Sequence, residues 1–216
     1  MKMRFRSMFG WVRTTAGALP LSFVVLILIA FAVTESSFCA VDKRELSREA
    51  KIQYNAGIDH QEEGRYAAAV AEFESAVKKE PEFALAYFNL GYNYEKLGKL
   101  DKALEAYNVS KRYDPASPVT HFNLGLLHRK TGEDNEAIAD FNKVLELDAK
   151  HDYARHNLWE IYVGQEKYDK ARTVYQEVLT SKPEDVYAKG MIAVTYWKEG
   201  RYKEAVIQMF RMLFGK

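Results

Sequence analysis

The sequence predicts an all-α protein, a stack of paired helices preceded by one hydrophobic N-terminal helix, on three observations. Glycines, alanines and aromatics recur every 34 residues through residues 50–216. Within each period the apolar residues fall three and four apart, the spacing that gives a helix one greasy face. Ahead of the first period, Leu19 to Val33 is uncharged and follows a basic start.

The N-terminal element reads as a signal peptide or signal anchor over residues 1–40. Lys2, Arg4, Arg6 and Arg13 precede the apolar run, and the polar stretch Thr34 to Ser37 follows it. A basic, then apolar, then polar order is the pattern of an export signal. The run from Leu19 to Val33 suits a signal core, whereas a spanning helix needs about 20 residues. Ser37 and Cys39 offer small residues before a cut at Ala40, and Phe38 stands where a lipid-attachment motif wants a small residue. Both a cleaved signal and a retained anchor stay open. In either case the basic start stays cytoplasmic and residues 41–216 cross the membrane, which in a bacterium means the periplasm. Residues 41–49 are a charged linker.

Composition limits what the remainder can be. With 48% hydrophobic and 28% charged residues, the chain can bury a core and is not wholly disordered. A formal net charge of +1 gives no basic stripe, so nucleic acid is not an expected partner. Cys39 is the sole cysteine, which excludes an intrachain disulfide.

The period is clearest when each unit is numbered from its first residue. Position 8 is Gly57, Gly91 and Gly125, then Trp159 and Ala193. Position 20 is Ala69, Ala103, Ala137, Ala171 and Ala205; position 24 is Phe73, Tyr107, Phe141, Tyr175 and Met209. Gly64, Gly98, Gly132 and Gly200 mark a turn inside the unit, with Glu166 in their place in the fourth. Pro81, Pro115 and Pro183 close three units, and Ala149 replaces proline in the third. Small alanines let two helices approach, the aromatic fills the groove beside them, and proline stops the second helix because it lacks an N–H.

This pattern resembles the tetratricopeptide repeat (TPR), and the segment from Tyr87 through Gly91 and Tyr94 to Ala103, Tyr107 and Pro115 is a near-consensus copy. The units are 50–83, 84–117, 118–151, 152–185 and an incomplete 186–216. The resemblance implies an α-solenoid: a right-handed superhelix of helix-turn-helix repeats whose first helices line a concave groove. It implies protein partners and no catalysis.

Position 6 is Asn55, Asn89, Asn123 and Asn157. The resemblance places that position on the groove side, where a row of amides would match the backbone of an extended peptide. The same amides also suit hydrogen bonds within their own helices. Tyr54, Phe88, Tyr92, Phe122, Tyr153, Tyr187 and Trp197 flank the row and complete the expected peptide-binding surface. Lysine and asparagine at the positions of a chaperone-binding carboxylate clamp are missing, since Tyr54 and Ile58 stand there.

The fifth unit differs from the others on its second helix. Ile207, Phe210 and Phe214 replace residues that are small or polar in the other units, such as Glu105, Asn108 and Arg112. They form an expected partner or oligomer interface, through which the chain binds another protein, a second copy or a membrane surface. No haem-attachment, phosphate-loop or nucleophile motif is present, so neither cofactor, metal nor enzymatic activity is expected. The function expected is an exported or membrane-anchored adaptor that grips a partner polypeptide. Its alternative is a permanent subunit of a larger membrane complex.

Overall fold

Each repeat folds because its two amphipathic segments cannot cover their apolar faces alone and must pack on each other and on the neighbouring pair. The computed structural model describes residues 48–214. The apolar run 19–33, with the export or anchoring expectation it carries, lies outside them. Among the described residues no helix is long and apolar enough to cross a membrane. They are helical throughout, with short turns and no strand.

The helices are α1 (48–62), α2 (Tyr66–Lys79), α3 (Ala84–Lys96), α4 (Leu100–Tyr113), α5 (Pro118–Thr131), α6 (Asp134–Leu147), α7 (Asp152–Gly164), α8 (Tyr168–Ser181), α9 (Val186–Lys198) and α10 (Tyr202–Phe214). Odd-numbered helices open the repeats and even-numbered ones close them. From α2 to α10 each helix packs on its neighbours in sequence within that span.

Local chemistry sets the boundaries. Ser117 and Asp185 cap α5 and α9 by accepting from Thr120 N and Ala188 N, and the His151 ring does the same for Ala154 N at α7. Inside the hairpins the chain reverses through left-handed residues: Gly64, Gly98, Gly132 and Gly200 have φ between +72° and +82°. Glycine takes that backbone without a Cβ penalty. Glu166 takes it at φ 56° and bears the penalty. Proline is not what ends the second helix. α6 stops at Leu147 without one, Asp148 N closing the last turn onto Val144 O at 2.7 Å.

Glycine at position 8 has a different task. A Cβ built on Gly57, Gly91 or Gly125 would lie 2.6–2.9 Å from the ring of Phe73, Tyr107 or Phe141, inside van der Waals contact. The ring at position 24 therefore rests directly on the backbone of the first helix. Position 20 beside it is a fully buried alanine in every repeat. The packed rings and alanines continue through the array as its core.

Glu166→Gly removes the backbone penalty of about 1–2 kcal/mol and returns part of it as unfolded-chain entropy. The variant is expected to be more stable by up to ~1 kcal/mol, seen as a raised urea midpoint at unchanged slope.

Candidate functional site

Positions 2, 5, 9 and 12 fall on one face of each first helix, because they recur at three- and four-residue steps. That face is not uniform. Position 5 lies nearest the core: Tyr54, Phe88 and Phe122 are half-buried, their ring centroids 5.5–5.8 Å from the rings of Phe73, Tyr107 and Phe141. Tyr92 is also half-buried, with the Lys96 ammonium 5.0 Å from its ring centroid. Position 2 points outward. Leu85, Val119, Tyr153 and Tyr187 are exposed in four successive repeats, Tyr153 to 76%. Leu126, Val194 and Trp197 extend this apolar row along α5 and α9, Trp197 meeting Tyr202 edge-on at 4.8 Å.

The asparagine row is occupied from within. Asn89 is 6% exposed and donates to Tyr54 Oη and to Leu85 O, both at 3.0 Å. Asn123 donates to Val119 O at 2.8 Å, and Asn157 to Tyr153 O at 2.7 Å. Each of the three thus bonds the carbonyl four residues back in its own helix. Asn157 also accepts from Arg129, whose guanidinium reaches Glu160 Oε2 at 2.9 Å. Asn55 is exposed, and Asn123 and Asn157 are half-buried. Burial pushes the Tyr54 hydroxyl up from its ordinary range, the Asn89 hydrogen bond offsetting part of the shift. Burial and the 2.5 Å bond to Glu74 push Tyr94 up to about 12.

One polar cluster had no counterpart in the sequence reading. Asp140 on α6 is buried and faces two buried histidines of α5: His121 Nδ1 at 3.0 Å from Oδ1 and His128 Nδ1 at 3.0 Å from Oδ2. Lys111 Nζ of α4 approaches Oδ1 at 3.5 Å, and Pro115 O lies 3.2 Å from His121 Nε2. A carboxylate only accepts, so both Nδ1 atoms donate. The available signal was an acid at position 23, where Ala106 and Val174 are buried in neighbouring repeats. The cluster ties α4, α5 and α6 together. Among the described residues no group of three or more metal-ligating side chains converges on a point.

Phe210 and Phe214, with Ile207, lie exposed on α10, at 62%, 66% and 41%. Val206, Met209 and Leu213 are exposed beside them.

Helix hairpins stacked in register, each closed by a left-handed turn residue, define a helical-repeat array. Models described as "Tetratricopeptide repeat" match residues 54–118 and 160–213, and residues 118–151. The chain belongs to the tetratricopeptide repeat family. Among solved structures it is similar to MamA at 22% identity, covering 76% of this chain and 90% of that one with a TM-score of 0.65. It is also similar to YrrB, described as a TPR protein with an unusual peptide-binding site: 17% identity, 82% and 90% coverage, TM-score 0.63. The first TPR of Spaghetti (RPAP3), bound to an HSP90 peptide, matches at 20% identity over 55% of this chain and 94% of that one, TM-score 0.53. At such identities the likeness establishes a shared fold. No curated protein matches the sequence.

Asp140→Ala strands two buried imidazoles and is expected to destabilise the array by about 3 kcal/mol in urea unfolding. Asp140→Asn keeps an acceptor and is expected to cost less than half of that.

Proposed function

We propose that this chain is a non-catalytic scaffold or adaptor which holds a partner polypeptide along the groove lined by its first helices. The observation that carries this reading is the exposed apolar row of Leu85, Val119, Tyr153 and Tyr187, extended by Trp197. Soluble surfaces seldom keep contiguous apolar side chains in water unless a partner covers them. Aromatic residues suit that task, since they offer large rigid contact area and a polar tip.

The asparagines act beside this row. Each amide has two N–H groups, and Asn123 and Asn157 each use one on their own helix. The second N–H is the one that would meet a peptide carbonyl. Asn89 and the position-5 rings then serve mainly to hold the first helices in place. YrrB and RPAP3, whose descriptions name a peptide-binding site and a bound peptide, lend this reading support at the level of fold.

The N-terminal residues 1–40 make the adaptor an exported or membrane-anchored one, in a bacterium facing the periplasm, where it would serve assembly of a membrane-associated complex. A second reading, a permanent subunit docked through α10, is favoured by the exposure of Ile207, Phe210 and Phe214.

Selection from a random peptide library against the full chain tests the groove. Binders are expected to lose about tenfold in affinity for each of Tyr153→Ala and Trp197→Ala, at unchanged helicity. Selected peptides that ignore both substitutions would contradict the reading.

A further inference from the structure

Two stripes make up the exposed apolar surface of α10, and they differ in meaning. Val206, Met209 and Leu213 hold positions 21, 24 and 28. In the inner repeats those positions are buried or half-buried, as at Val70, Phe73 and Val77, or Ile138, Phe141 and Leu145. A further helix stacked in register would cover them. Ile207, Phe210 and Phe214 hold positions 22, 25 and 29, which face solvent in every inner repeat and are small or polar there: Ala71, Glu74 and Lys78, or Glu105, Asn108 and Arg112. A continuation of the stack touches that second stripe only in places, as Tyr94 does Glu74, and leaves these positions exposed in every inner repeat. Its occupant comes from outside the repeat pattern.

Charge identifies the kind of occupant. Lys203 and Arg211 are the exposed charges bordering the two stripes, and both are cations. The neighbouring acids are already engaged: Glu204 holds Arg201 at 2.8 Å, and Glu199 binds Arg172. Two copies of α10 set face to face would bring cation to cation, the one acid of the helix, Glu204, being already paired with Arg201. Beside the stripes stand the exposed rings of Trp197 and Tyr202. Aliphatic and Phe side chains on one face, bordered by Lys and Arg and flanked by Trp and Tyr, form the arrangement that lies in the headgroup boundary of an anionic membrane.

We propose that α10 docks on an anionic lipid surface, inserting Phe210, Leu213 and Phe214 and setting Lys203 and Arg211 against the lipid phosphates. This goes beyond the groove reading, since it concerns the other helix of the last repeat, and it does not depend on what the groove holds.

The test uses the full chain reconstituted into vesicles, so that residues 1–40 are present in every sample. An environment-sensitive fluorophore is attached through Leu213→Cys in a Cys39→Ser background. Vesicles of phosphatidylcholine are compared with vesicles that also contain phosphatidylglycerol, with brominated acyl chains as quencher. Roughly tenfold more docked helix is expected on the anionic vesicles. Phe210→Ser with Phe214→Ser should abolish quenching, and Lys203→Glu with Arg211→Glu should erase the lipid preference. Tyr153→Ala should leave the quenching untouched, which separates a failure here from a failure of the groove. Equal quenching on both vesicles would overturn the proposal. A blue shift that needs no lipid and grows with protein concentration would also overturn it and assign the face to a second copy.

Discussion

A ring at position 24 resting on a bare glycine backbone at position 8 sets how closely the two helices of a repeat approach. Phe73, Tyr107 and Phe141 sit so near Gly57, Gly91 and Gly125 that one added methyl group would overlap the ring. Close packing of that kind leaves no room for small adjustments. Once the hairpin has this spacing, the first helix can bury only one side, and position 2 is left facing out. The candidate binding row follows from how the core closes. The later repeats solve the same problem differently: Trp159 at position 8 is buried and bonds Thr195 Oγ1 at 2.8 Å across to the next repeat, and the fifth repeat has a buried Ala193 at position 8 and an exposed Met209 at position 24.

Much of this was legible in the sequence because the constraint repeats. Five alanines at position 20 and four turn glycines cannot fall into register by accident, and they locate every hairpin. Depth within a face was harder to read. Helical spacing places Tyr54, Phe88 and Phe122 on the same side as Tyr153 and Tyr187, yet the first three are half-buried against core rings while Tyr153 stands in water and Tyr187 stays exposed even though its ring meets Tyr175 edge-on at 5.8 Å. A difference of three positions along a helix decides between them, and periodicity alone does not resolve it. The asparagine row shows the same limit. Its register was plain, but bonding to the carbonyl four residues back depends on rotamer choice.

The cluster at Asp140 escaped detection for another reason. Its members, Lys111, His121, His128 and Asp140, come from three helices and share no motif; only an acid at an otherwise apolar position hinted at it. Such networks bring specificity by demanding that every partner be present. Here the network fixes the middle of the array, between the early repeats with buried glycines and the later ones carrying the most exposed aromatics. The array thus joins a tightly closed first half to a second half whose Tyr153, Tyr187, Trp197 and α10 face outward.

The claim that ring and glycine form one unit is tested most directly by a double-mutant cycle at the third repeat. Gly125→Ala and Phe141→Leu should each destabilise the protein, the first by overpacking and the second by lost contact. Combined, they should cost less than the sum of the two by about 1–2 kcal/mol, because the shorter side chain makes room for the added methyl. Additivity within about 0.5 kcal/mol would contradict the account.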